Sequence, residues 1–73
     1  MRTFELMAIN DSRKSFYGKA YVTESGNRLE LFSYGTSVAV IEDGKIIRSD
    51  IGKWSVTTNR HIREFIHQFA KEV

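Results

Sequence analysis

At Val56 the hydrophobic period of this chain changes from two to about 3.6, and that switch limits the folds open to it. A period of two belongs to pleated strands and a period of 3.6 to a helix. Beyond the switch, Ile62, Phe65, Ile66, Phe69, Ala70 and Val73 follow the spacing of one buried helical stripe. Thr57 or Thr58 is the expected N-cap, because a threonine hydroxyl can accept a bond from a free N–H of the first turn. The spacing predicts a helix over about 58–72. Trp54, just before it, is expected to anchor the helix on a sheet.

Before the switch the chain reads as strands at 3–10, 16–24, 28–35, 36–42 and 45–51, with 54–56 as a short sixth. NDSRKS at 10–15 is a polar turn. SGN at 25–27 and Asp43-Gly44 are hairpin turns. With 73 residues, no proline and no repeat, the chain has room for one domain. The expected class is α+β: an antiparallel meander of five to six strands packed by one C-terminal helix. Both sheet faces carry apolar residues. Leu29 and Leu31 oppose Phe32 and Tyr34, while Phe16, Ala20 and Val22 oppose Tyr17 and Tyr21. One helix covers one face, so a curled, partly barrel-like sheet is expected, with a partner on the second face as the alternative.

Little in the chain suggests enzyme chemistry. There are no cysteines, which removes disulfides and thiolate metal sites. The five glycines are isolated, so no phosphate-cradling loop exists. His61 and His67 are spaced by six, about 240° round a helix, where two ligands of one metal need about four. Nothing in the spacing of Glu42, Asp43 and Asp50 favours acid–base work. A non-enzymatic protein without cofactor or metal is expected. No apolar run reaches the roughly 20 residues of a membrane span, and MRTFELMAIN has no hydrophobic signal region, so neither membrane insertion nor secretion is expected.

Three features could carry binding. At the helix start, Arg60 or His61 is the third helical residue, depending on the cap, and Arg63 follows in the second turn. The positive end of a helix prefers acids there, so a phosphate or a partner's carboxylate would repair the mismatch. An intramolecular acid such as Asp50 or Asp43, or solvent, would serve as well. His61 flanks the buried stripe and reads as a packed, hydrogen-bonded histidine. The second feature is Tyr17, Lys19 and Tyr21, with Arg13 and Lys14 just before them. Alternating aromatic and basic side chains on one strand face can stack bases and hold phosphates, and Phe32 and Tyr34 could extend that face. The competing reading is a second small core. The third is Trp54, which would be an interface hot spot if it were exposed. Thr57, Thr58, Ile62, Phe65, Ile66 and Phe69 are expected to be structural.

KSFYGKA (14–20), LFSYGTSVAVI (31–41) and WSVTTNRHIREFI (54–66) resemble a family of short uncharacterised proteins of phages, prophages and other mobile elements, mainly of Gram-positive bacteria. The likeness covers most of the chain and supplies no catalytic or binding residues. It implies a protein in the cytoplasm of a bacterial host. Together with the missing catalytic constellations, it leads to a small binding protein that engages a host macromolecule. A host defence or regulatory protein fits as target, with anti-CRISPR inhibition as one form. The alternatives are a sheet-face binder of single-stranded nucleic acid and a structural homodimer.

Overall fold

The computed structural model describes residues 1–10 and 15–71. Five strands run in chain order: β1 Arg2–Glu5, β2 Ala20–Ser25, β3 Arg28–Ser33, β4 Thr36–Glu42 and β5 Lys45–Ser49. The helix α1 follows at Val56–Phe69. Every strand pairs antiparallel with its sequence neighbour, giving the sheet order β1-β2-β3-β4-β5. The class is α+β, a five-stranded meander packed by one C-terminal helix.

The helix lies on the face presented by Val22, Leu29, Leu31, Ala39 and Ile41. Ile62 and Phe65 are fully buried against it. Burying one such side chain stabilises by roughly 1.5–3 kcal/mol, so these two residues are the main hold between helix and sheet. Phe69 extends the contact, meeting Phe4 edge-on at 6.1 Å and Phe65 at 5.6 Å between ring centroids. Beyond the helix, the Lys71 N–H donates to the Gly44 carbonyl at 2.7 Å and ties the chain back to the β4–β5 turn.

Two β-bulges break strict alternation. Leu31 pairs with Ala39 but Phe32 with Ser37, so Val38 is the extra residue on β4. Val38 and Ala39, neighbours in sequence, therefore both join the core. On β5, Ile47 is the extra residue between the Val40–Arg48 and Ile41–Ile46 pairs.

The sheet does not close into a barrel: β1 and β5 are its two edges and do not pair. On the second face, Val40 is covered by neighbouring long side chains. Val40 sits in register between Glu30 on β3 and Arg48 on β5. Arg48 Nη2 donates to Ser37 Oγ at 2.8 Å, and Ser37 Oγ donates to Glu30 Oε2 at 2.5 Å. The stems of this chain of side chains leave Val40 only 3% exposed with no second layer.

Other boundaries move as well. The first strand stops at Glu5 rather than residue 10, and the second begins at Ala20 rather than 16. The third ends at Ser33 and the fifth at Ser49, both two residues earlier than expected. Residues 54–56 form no strand. The N-cap is Ser55, not Thr57 or Thr58: its hydroxyl accepts from the Thr58 N–H at 3.3 Å. The helix therefore starts two residues earlier and ends at Phe69. No helix among the described residues is long and apolar enough to cross a membrane.

Candidate functional site

Two Tyr-Gly turns lie side by side at the end of the sheet where the helix begins. In the first, Phe16 to Lys19, the Lys19 N–H donates to the Phe16 carbonyl at 3.0 Å, and both central residues are left-handed, with φ of 52° at Tyr17 and 72° at Gly18. In the second, the β3–β4 hairpin, Tyr34 and Gly35 have φ of 52° and 81°. Positive φ at both central residues is the type I′ pattern, whose first position normally takes Asn, Asp or Gly. The β4–β5 turn uses that ordinary chemistry, with Asp43 and Gly44 at 55° and 78°. A bulky side chain in the left-handed region is a backbone outlier. Among the described residues there are two, and the Tyr34 N–H donates to the Lys19 carbonyl at 2.9 Å, clasping one turn to the other.

The turns are pinned from both sides. Ser15 Oγ accepts from the Tyr17 N–H and Glu5 Oε2 from the Gly18 N–H, each at 2.9 Å. Behind them His61, 1% exposed, fills the junction with the helix. Its ring meets Phe16 edge-on at 4.6 Å and stacks against Tyr34 at 5.9 Å with an interplanar angle of 29°. Its Nδ1 lies 2.8 Å from Ser33 Oγ, which lies 3.1 Å from Thr58 Oγ1. A serine beside a histidine is also how a nucleophile meets its base. Here Ser33 is 3% exposed and bridges His61 to Thr58. The arrangement holds the Tyr34 turn in place, as expected of a packed histidine.

Between the turns and the first turn of the helix is a hollow of about 200 Å³. Its walls are Phe16, Tyr17, Tyr34 and His61, with Lys19, Ser15 and Thr57 supplying the polar groups. Tyr17 is 72% exposed and Tyr34 57%. Trp54 belongs to the same end, because the Asp50 N–H donates to the Val38 carbonyl at 2.9 Å and brings the β5–α1 connection there. Trp54 does not anchor the helix, which corrects the expectation: it is 48% exposed, and its Nε1 donates to Asp50 Oδ2 at 3.4 Å.

The basic residues of the helix start do not converge on one anion. His61 backs the aromatic hollow, whereas Arg60 and Arg63 line a second one of about 210 Å³ with Asn10, Glu64 and His67. Glu64 is buried there. It accepts from the Asn10 N–H at 2.7 Å, Asn10 Nδ2 at 2.9 Å and Gln68 Nε2 at 2.7 Å. Asp50 and Asp43, the acids considered as partners for Arg60, are engaged by Arg48 and Trp54 and by Asn27 respectively.

Of the expected sheet-face platform, only Tyr21 and Phe32, direct cross-strand partners, share a strand face among the described residues. Tyr21 is on β2, paired with Glu5 and Phe32, while Tyr17, Lys19 and Tyr34 lie beyond strand ends. Arg13 and Lys14 lie outside the described residues. Among the described residues no group of three His, Asp or Glu side chains could hold a metal ion. Sequence reasoning gave Ser33, Ser55 and Glu64 no place in the site. The signal for the site was present as two Tyr-Gly dipeptides, which alternation absorbs into strands.

No curated protein and no solved structure matches the chain. The model of a family of unknown function, DUF8033, matches residues 4–73, and the chain belongs to that family.

Proposed function

We propose that the chain is a non-enzymatic binding module that engages a host protein through the end of the sheet bearing Tyr17, Tyr34 and Trp54. One observation carries this reading: two tyrosines occupy left-handed turn positions where Asn or Asp would fit with less strain, and both point largely into water. Tyr17, 72% exposed, gains little from packing there, whereas tyrosine and tryptophan are among the residues that most often anchor interfaces. The likeness of the SFYGKA and SYGTSVA segments to phage and mobile-element proteins supports a partner in host defence or regulation, a CRISPR nuclease included.

The test is affinity capture from a lysate of the bacterium that carries the gene. Tagged wild type is compared with a Tyr17→Ala/Tyr34→Ala variant and with Trp54→Ala, each checked for native secondary structure. A protein recovered in stoichiometric amount by wild type and lost with either variant is expected. Equal recovery by all three, or no stoichiometric partner, refutes the reading.

Single-stranded nucleic acid is the second reading, favoured by Lys19 beside two exposed tyrosines. It predicts affinity that falls steeply with salt. Absence of binding to oligonucleotides at low salt removes it.

A further inference from the structure

We infer that the hollow between the two Tyr-Gly turns takes a single aromatic side chain from an acidic segment of the partner protein. This rests on the reading above and adds the chemistry of the occupant. A hollow of about 200 Å³ is the size of one aromatic side chain. Its walls are rings in differing orientations: Phe16 is edge-on to His61 while Tyr34 lies nearly parallel to it. A guest ring can therefore meet both faces and edges, the two arrangements aromatic pairs prefer. The walls are also fixed before binding. Tyr34 rests on a histidine held by Ser33, and Tyr17 sits in a turn bonded to Ser15 and Glu5. Preorganised walls lower the entropic cost of capture.

Charge selects the surroundings of the ring. Lys19 at the rim offers only donors, and the first turn of α1 beside it carries no acid. Lys53 is exposed on the same end of the molecule. Neither Glu5, held to the Gly18 N–H, nor Asp50, paired with Arg48 at 3.7 Å, lines the hollow. An incoming segment with Asp or Glu beside its aromatic residue can pair with Lys19 at the rim. A nucleic-acid strand fits less well, because it needs a run of cations to follow its phosphates. Lys19 is the one cation lining this hollow among the described residues, and the adjacent basic hollow has Glu64 in its lining.

The experiment uses the full chain and labelled synthetic peptides in fluorescence polarisation. The probes are an acidic peptide with one central phenylalanine, the same peptide with alanine there, a lysine-rich phenylalanine peptide, and oligo(dT). The acidic phenylalanine peptide is expected to bind. The alanine replacement and Lys19→Glu are each expected to weaken it by roughly tenfold, the effect of removing a single interface anchor. Amide NMR shifts at Gly18 and Gly35 should move on binding. Equal affinity for the phenylalanine and alanine peptides, preference for the lysine-rich peptide, or binding of oligo(dT) alone overturns the inference, as does no binding to any probe. Capture of a host protein that depends on Trp54 but is untouched by Lys19→Glu would sink this inference while leaving the binding-module reading intact.

Discussion

Ser33→Ala removes one oxygen from the core and tests how the Tyr34 turn is held. The hydroxyl serves two buried groups, His61 Nδ1 at 2.8 Å and Thr58 Oγ1 at 3.1 Å. Leaving a buried polar group unpaired costs about 1–3 kcal/mol. Thr58 keeps a second contact, with Ser55 Oγ at 3.4 Å, so its share is the smaller. The expected loss is therefore about 2–3 kcal/mol, most of it from His61. For a domain of this size, whose total stability is on the order of 4–11 kcal/mol, that is a large fraction. Each kcal/mol shifts the melting temperature by roughly 4–8 °C, so a fall of about 8–24 °C is expected. Urea denaturation followed by circular dichroism measures the free energy directly. A Ser33→Ala/His61→Leu double variant should recover part of the loss, since removing both partners leaves less unsatisfied. A cost for Ser33→Ala within about 0.5 kcal/mol, the range of an ordinary surface change, would refute the argument that this network fixes the turn.

Tyr17→Asn keeps the turn and supplies a residue suited to left-handed backbone. Thermal melts should show stability unchanged or raised by up to about 1 kcal/mol while peptide binding is lost, and a fall of more than that would mean the ring is structural. Glu64→Gln places an amide N–H against groups that are already donors. Urea titration should register a loss of about 1–3 kcal/mol. Gly44→Ala adds a Cβ about 3.0 Å from Lys71 Cβ at a φ of 78°, whereas Gly26→Ala meets open space at a φ of 61°. Both should destabilise, Gly44→Ala the more, and equal melting temperatures would remove the contact with Lys71 from the account. If the covered Val40 leaves the second face without a docking patch, sedimentation should give a monomeric mass; a stable dimer would favour the homodimer alternative.

The fold was legible where one physical signal acted alone. Alternation located β3 and β4, Asp43-Gly44 marked its turn, and the 3.6 period gave the stripe of Ile62, Phe65 and Phe69. Two signals in conflict hid the rest. Phe16 and Tyr17 have strong strand propensity, so FYGK reads as pleated; only Gly18 hints at the left-handed turn observed. The Val38 bulge lets neighbouring residues face the same side, which no period-two rule anticipates. On the second sheet face, Val40 is covered by the stems of Glu30 and Arg48, which apolar counting ignores. Trp54 failed as an anchor because a short connection from Ser49 to Ser55 leaves its ring beside Asp50 instead of under the helix. At the site, Tyr17, Lys19, Tyr34 and His61 were each visible, but their meeting depends on the clasp between two turns distant in sequence.

The strictly sequential strand order has a consequence for synthesis. All sheet pairings join neighbours, so each hairpin can close as soon as its second strand leaves the ribosome, and low sequence separation of contacts favours quick folding. The helix is made only after all five strands. Until then Val22, Leu31 and Ala39 present an uncovered apolar face on an open sheet, the kind of surface on which nascent chains misassociate. The aromatic hollow also waits, because His61 and Thr57 arrive with that last element. If the hollow binds as proposed, binding becomes possible only once the core is closed.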